Sequence, residues 1–170
     1  MMIIHCTRKL LEEIGIASCD VIDAHRENSP LGSWTGNLLR IDRRKCVLFT
    51  SQETLFTFLA PGVKKGDLQN IAGFFWDNLK LNLIAQGYEP ARIEKTIRAS
   101  GEIRLGRARN KSVLGSMNDY ALNYRCAIMR QGGLLDCDIL AINKEINRMP
   151  MSAINYRCGS EALAERMGKA

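Results

Sequence analysis

The first apolar and polar positions of the chain predict a strand followed by a helix. Ile3 and Ile4 begin a short apolar run, and Thr7 is a residue that can cap a following helix. That helix presents three apolar residues at helical spacing, Leu10, Leu11 and Ile14. Gly15 is a typical residue at a helix end, so we expect the helix to stop there.

The pattern then changes from a polar stretch to three short segments rich in β-formers. From Asp20 to Gly36 the sequence is polar and contains proline and glycine, and we interpret it as a surface loop that carries Trp34. From Asn37 to Leu59 the segments NLLRID, KCVLFT and TLFTFL are separated by RR and SQE. This arrangement predicts a three-strand antiparallel meander.

Helical spacing dominates the rest of the chain. The expected elements are a helix capped by Asp67 and ending at Gly87, a helix from Pro90 to Gly101, a strand from Glu102 to Ala108, a helix from Ser112 to Gly132, a helix from about Asp136 to Arg148, and a short final helix capped by Ser160. Strands therefore cluster early and helices late.

This order predicts an α+β fold in one domain over residues 1–170. We expect a small, mainly antiparallel sheet made of the meander, the N-terminal strand and the strand near 102–108, packed against about five or six helices. A parallel α/β fold would need regular alternation of strands and helices, which the pattern lacks.

Composition adds an electrostatic expectation. Lys and Arg number 24 and Asp and Glu 18, so the formal net charge is +6, which favours polyanionic partners. Hydrophobic residues make up 46% and charged residues 25%, which are ordinary values for a globular chain. The chain has no long apolar run, and acidic residues follow its N-terminus closely, so we expect a cytoplasmic protein without membrane attachment.

The cysteines and histidines do not form a recognisable reactive motif. Six cysteines lie far apart with no C-x-x-C, and there are only two histidines, so we expect no metal site, no cofactor and free thiols. His5 and Cys6 place a base beside a thiol at a helix start, where a thiolate would be stabilised, and His25 could approach Cys6 or Cys46. Ordinary packing is the alternative, because adjacent strand residues point to opposite faces.

The connection between the last predicted strand and the long helix carries the first candidate site. Arg107, Arg109 and Lys111 lie just before the helix start, where unpaired N–H groups and the helix dipole attract anions. The alternative is a basic edge strand that blocks edge pairing, with Asn110 or Ser112 acting only as a cap.

Three residues of the long helix are weak catalytic candidates. Ser112 stands at its start, and Asn118 and Asp119 follow Gly115, whose position in a helix suggests close packing or binding. In a catalytic site Asp119 would act as an acid, a base or a metal ligand. A lone carboxylate provides neither a metal cage nor an acid–base pair.

The first hairpin of the meander is the second basic segment. Arg43, Arg44 and Lys45 follow Arg40 closely, and Trp34 precedes them in the predicted loop. Basic residues beside an exposed aromatic ring can hold phosphates and stack a base. The alternative is a charged turn with Trp34 buried in the core.

Five ordered motifs carry a resemblance to a family. They are MIIHCTRKLLEE at the start, W-x-x-N at Trp34 and Asn37, RRKCVLFTSQETLFTF, SVLGSMNDY from Ser112 to Tyr120, and INRMPMSAINYR near the end. Together they span nearly the whole chain, which resembles an uncharacterised bacterial family, a domain of unknown function. Members usually have arginine before SVLGSMND, where this chain has Lys111, a residue unable to make planar bidentate contacts. The resemblance implies a shared fold and no functional residue.

Three classes of function remain open on the sequence. The first is a basic protein that binds a phosphate-bearing partner, RNA or DNA, in a bacterial regulatory, mobile-element or defence role. The second is a hydrolase or nucleotide-modifying enzyme with its phosphate site at 107–119. The third is a protein-interaction module, such as a toxin–antitoxin component, that uses the apolar segment from Met149 to Met167. The P-loop and G-x-G-x-x-G, G-x-S-x-G and H-E-x-x-H motifs are absent.

Overall fold

A computed structural model describes residues 1–16 and 29–168 of the chain. In chain order its strands and helices are β1 (Met2–Cys6), α1 (Arg8–Ile14), β2 (Trp34–Ile41), β3 (Arg44–Ser51), β4 (Thr57–Pro61), α2 (Lys65–Gln69), α3 (Ile71–Ala85), α4 (Pro90–Ser100), β5 (Ile103–Arg107), α5 (Lys111–Arg130), α6 (Ile139–Ile146), β6 (Pro150–Met151), β7 (Arg157–Cys158) and α7 (Gly159–Arg166). A single 3₁₀ turn, Ser152–Ile154, separates the last two strands. The predicted α+β class is confirmed.

The five-stranded sheet has the order β4-β3-β2-β1-β5. The meander of β2, β3 and β4 is antiparallel as predicted, with Ile41 opposite Arg44 and Thr50 opposite Thr57. The N-terminal strand β1, however, runs parallel to both of its neighbours. The sheet is therefore mixed, because β1 is inserted between two strands that run in its own direction.

Helices cover both faces of the sheet. Alternate strand residues face one apolar core that includes residues of α1, α2, α3, α4 and α7, with Trp34, Phe49 and Phe75 fully buried. The other face is covered by α5 and α6, whose inner residues include Tyr120, Tyr124 and Ile142. The strand period of two thus divides the apolar side chains between two helical layers.

Several helix boundaries differ from the prediction for local reasons. The segment beginning near Asp67 is two helices, because Asn70 leaves helical geometry and caps α3 by accepting a hydrogen bond from Gly73 N at 3.1 Å. Asp67 lies inside α2, where its carboxylate accepts from Lys64 N at 2.8 Å. The final helix begins at Gly159, and Glu161 rather than Ser160 bonds its cap residue, at Cys158 N.

Helix α6 protects the free edge of β4 with asparagine side chains. Asn143 Oδ1 accepts from Leu59 N at 2.9 Å, and Asn147 Oδ1 accepts from Thr57 N at 2.8 Å. Asn147 Nδ2 donates back to Thr57 O at 2.6 Å. One turn apart on the helix, the two amides replace a missing strand, which satisfies buried edge groups and blocks edge pairing. No helix in the described residues is long and apolar enough to span a membrane.

Candidate functional site

The strand order creates a crevice at the carboxyl ends of β1 and β5. These parallel strands are adjacent, with Cys6 opposite Arg107, but the helices that follow them lie on opposite faces of the sheet. Helix α1 packs on the face of Trp34 and α5 on the face of Tyr124. In open sheets, such a divergence of the connections leaves a gap beyond the strand ends, and ligands commonly bind there.

Strand β2 extends one wall of this gap. Cys6, the last residue of β1, pairs with Gly36, whereas β2 continues to Ile41. Five residues of extended chain project about 16 Å beyond the end of β1. The result is a cavity of about 520 Å³, which we name the carboxyl-end crevice, lined by Lys9, Glu12, Glu13, Leu38, Leu39, Arg40 and Arg125.

In the carboxyl-end crevice the acidic residues are in ion pairs, whereas the basic residues pair with no described carboxylate. Glu12 pairs with Arg8 at 2.6 Å, and Glu13 pairs with Lys45. Arg125 donates one Nη1 hydrogen bond to Arg40 O at 2.8 Å. The carboxylates of the lining therefore already have cationic partners, while the lining adds the cationic groups of Lys9, Arg40 and Arg125.

The predicted basic junction, defined as Arg107, Arg109 and Lys111, lies at the same end of β1 and β5. All three residues are exposed. Ala108 N donates to Cys6 O at 3.0 Å, which extends the pairing of β5 with β1 by one residue. Asn110 caps α5 by accepting from Val113 N at 3.2 Å, so of the two cap candidates it is Asn110 that fills this role.

Motif residues from separate parts of the chain meet at the strand ends. Thr7 Oγ1 donates to Asn37 Oδ1 at 2.9 Å, which joins the start of α1 to β2. His5 Nδ1 lies 3.4 Å from Arg107 O. A Cβ added to Gly106 would stand 2.8 Å from this ring nitrogen, so only glycine lets β5 approach His5 so closely.

The hairpin arginines, Arg43 and Arg44, are exposed at the tip of β2 and β3. Asp42 and Arg43 both have positive φ, the geometry of a two-residue hairpin turn. Asp42 Oδ2 accepts from Leu134 N at 2.7 Å, which holds the turn against the chain after α5. Lys45, the third basic residue predicted here, is half-buried and paired with Glu13.

The prediction that Trp34 contacts a ligand is wrong. It is 0% exposed and belongs to β2 rather than to a loop, so it cannot stack on a base. Its ring packs edge-on against Phe75 with the centroids 5.1 Å apart. The part of the predicted loop at residues 20–28 lies outside the described residues, as does His25.

The weak catalytic candidates are not brought together in a cavity. Ser112, Asn118 and Asp119 are exposed on α5. The close packing expected of Gly115 is also wrong, because an added Cβ would have no described atom within 4 Å. Among the described residues, the structure thus gives Asp119 neither a second carboxylate nor a base to work with in acid–base catalysis.

The thiol at the start of α1 is unsuited to nucleophilic chemistry. Cys6 is fully buried, and burial raises the pKa of its thiol to about 12. His5 lies on the opposite side of β1, against Gly106. Of the six cysteines, the five in the described residues are free thiols, and Cys19 lies outside them.

Part of the C-terminal segment predicted as a docking surface belongs to the core. Met151 is buried, and Ile154 packs against the core beneath α5 and α6. Tyr156 is 74% exposed in a left-handed turn with Asn155. Only the turn is available for external contact among these residues.

A comparison with known protein families identifies the family of the chain. The family model of a domain of unknown function, DUF6933, matches residues 3–162. The chain belongs to this family. The DUF6933 match spans every strand of the sheet and both walls of the carboxyl-end crevice. No curated protein and no solved structure matches the chain.

The sequence alone did not identify Lys9 and Arg125 as site residues. Each occupies the polar side of an amphipathic helix, where a charged residue is ordinary. Only the parallel insertion of β1 between β2 and β5 brings them to one cavity. The sequence did show two strand–helix units, β1 with α1 and β5 with α5. They would have indicated a shared site only if the pairing of β1 with β5 had been known.

Proposed function

We propose that the chain is a cytoplasmic binding protein for a phosphate-bearing polymer, and that RNA or DNA is its partner. The contact surface consists of the basic junction and the hairpin arginines. A bacterial regulatory, mobile-element or defence role is consistent with such binding. The proposal rests on four exposed cations of this surface, Arg43, Arg44, Arg107 and Lys111, which have no carboxylate partner among the described residues.

Some cations of the sheet and its helices are neutralised by carboxylates. Six carboxylate pairs involve Arg8, Lys45, Lys80, Arg104, Arg157 and Arg166. By contrast, Arg43, Arg44, Arg107 and Lys111 are exposed and have no carboxylate within 4 Å among residues 1–16 and 29–168. Uncommitted cations are the ones that can replace the counterions of a nucleic-acid backbone.

The spacing of the two groups suits a polymer. Across the sheet, Arg107 pairs with Cys6, which pairs with Gly36 on β2. Arg44 pairs with Ile41, five residues further along β2. Five residues along the strands and three strand spacings across them give a separation of about 20 Å. This is the length of about six base pairs of duplex, so one molecule can reach both groups.

The experiment is binding of fluorescent 20-nucleotide RNA and DNA to the full chain at low salt. The variant Arg107→Glu with Arg109→Glu should weaken binding by at least a hundredfold, because it inverts two cations of the surface. The control is Lys95→Glu with Arg98→Glu, which makes the same charge change on α4, a helix that ends at Gly101 beside Met1, at the opposite end of β1. Equal losses in the two variants would mean that only net charge matters and would reject the assigned surface.

Unfolding of the junction variant is a separate outcome. Exposed charges contribute at most about 1 kcal/mol each to folding, so the thermal midpoint should stay nearly unchanged. If the variant unfolds, its arginines are needed for the fold, and the junction is then a structural ion-pair network rather than a binding surface.

A further inference from the structure

The carboxyl-end crevice has the chemistry of a phosphate site, separate from the exposed basic surface. Its lining joins α1, the projecting part of β2 and α5. These elements come from distant parts of the chain and meet only because the connections after β1 and β5 diverge. A cavity of about 520 Å³ falls within the range that holds small ligands.

The lining offers positive charge from three directions. Lys9 comes from α1, Arg40 from β2 and Arg125 from α5. Lys9 and Arg40 are exposed and make no ion pair with a described carboxylate. Arg125 uses one N–H on Arg40 O, which fixes the guanidinium at the cavity and leaves further N–H groups for a ligand.

Backbone donors of β2 face the same space. Ile41 and Arg44 close the two-residue hairpin, so alternate residues Leu38 and Arg40 turn their N–H and C=O groups away from β3. Two hydrogen bonds support this direction: Arg40 O accepts from Arg125, and Gly36 O accepts from Thr7 N at 2.9 Å. Beyond Gly36 the neighbouring strand β1 has ended, so the N–H groups of Leu38 and Arg40 point into the crevice.

The acidic residues of the lining do not cancel this character. Glu12 and Glu13 are held by Arg8 and Lys45, neither of which lines the cavity. The remaining polar groups are three cations, the N–H groups of Leu38 and Arg40, and their carbonyls, of which Arg40 O is already bonded to Arg125. A phosphate monoester carries between one and two negative charges at neutral pH and three acceptor oxygens, which matches donors that converge from several sides.

We propose that the carboxyl-end crevice binds a phosphate monoester, either of a free mononucleotide or at the terminus of a nucleic-acid strand. The volume exceeds what a phosphate group alone fills, and Leu38 and Leu39 provide apolar lining beside the donors. This inference goes beyond the proposed function, since it would hold for a protein that binds no polymer along its length.

The test measures binding of AMP, adenosine and inorganic phosphate to the full chain by isothermal titration calorimetry. AMP should bind and adenosine should not. Lys9→Gln should weaken AMP binding about tenfold, and Lys9→Gln with Arg40→Gln about a hundredfold, as expected for lost charge-assisted contacts. The matched control, Lys95→Gln with Arg98→Gln, should bind AMP as the wild type does. Equal binding of AMP and adenosine, or AMP affinity in the Lys9 and Arg40 double variant within twofold of the wild type, would overturn the proposal.

Two further comparisons identify the source of the phosphate. A 5′-phosphorylated 10-mer that binds at least tenfold tighter than its 5′-hydroxyl form supports a strand terminus, whereas AMP binding without this difference supports a free nucleotide. AMP affinity should fall below pH 6 as the dianion gains a proton. If AMP does not bind and oligonucleotides bind equally with either end, the crevice proposal is wrong while the polymer-binding function stands. If AMP binds through Lys9 and Arg40 but no oligonucleotide binds, the crevice proposal stands and the polymer-binding function is wrong.

Discussion

The amide of Asn147 provides a test of how the edge of the sheet is closed. Asn147 is fully buried and makes hydrogen bonds to both backbone groups of Thr57, with a third to Asn143 O at 2.8 Å. Replacement by alanine leaves the buried N–H and C=O of Thr57 without partners. At about 1–3 kcal/mol for each stranded group, we expect a loss of about 4 kcal/mol.

A leucine variant separates polar pairing from packing. Asn147→Leu restores the lost volume but cannot bond Thr57, so it should destabilise the protein nearly as much as Asn147→Ala. For a chain of this size about 4 kcal/mol corresponds to a fall in Tm of about 10 °C. The control is Asn118→Ala on the exposed side of α5, which should change stability by less than about 0.5 kcal/mol.

Urea unfolding followed by circular dichroism measures these changes. The reasoning about the sheet edge fails if Asn147→Leu is as stable as the wild type, because the amide would then contribute only volume. It also fails if Asn118→Ala costs as much as Asn147→Ala.

Three further predictions address backbone space, thiols and pH. Gly115→Ala should stabilise the chain by up to about 1 kcal/mol, because no described atom lies within 4 Å of the new Cβ. Gly159→Ala should destabilise the chain, because its Cβ would stand 3.0 Å from the backbone of Leu55 and Phe56. Urea unfolding that shows a stability change of the same sign in both variants would contradict this. In native protein iodoacetamide should label the partly exposed Cys126 before the buried Cys6, whose thiol has a pKa raised to about 12, and mass spectrometry showing equal rates would refute the burial argument. Burial raises the pKa of Tyr88, Tyr120 and Tyr124, so their phenols stay protonated in the folded chain while unfolded phenols ionise near pH 10. Stability should therefore be retained below about pH 10 and fall as pH rises above it, and constant urea midpoints from pH 8 to 11 would oppose this.

Much of the fold follows from local sequence pattern. The run of β-formers in KCVLFT locates β3, which is buried on both faces, and the helical spacing of Ile71, Phe75 and Leu79 locates α3, because these residues form its buried face. The parallel pairing of β1 was not predictable in the same way, since it joins residues 2–6 to 103–107 across the chain. Local periodicity contains no information on such pairing.

The candidate site was likewise predictable where it depends on local sequence and unpredictable where it depends on contacts between distant segments. Arg107 and Lys111 were identifiable because they stand at a visible strand–helix junction. Burial of Trp34 was one of two interpretations that the sequence allowed, and its polar neighbours could not decide between them, because burial depends on Phe58 and Phe75 packing around the ring from β4 and α3. The carboxyl-end crevice was likewise unpredictable, because it arises from the different lengths of β1 and β2.

The salt dependence of nucleic-acid binding tests the central claim most directly. If the four uncommitted cations, Arg43, Arg44, Arg107 and Lys111, each contact a phosphate, log K for a 20-base-pair duplex should fall against log salt with a slope of about −3.6, or about 150-fold from 50 to 200 mM. Arg107→Gln with Lys111→Gln should reduce this slope to about −1.8. No binding at 50 mM salt, or a slope unchanged in the double variant, would contradict the account.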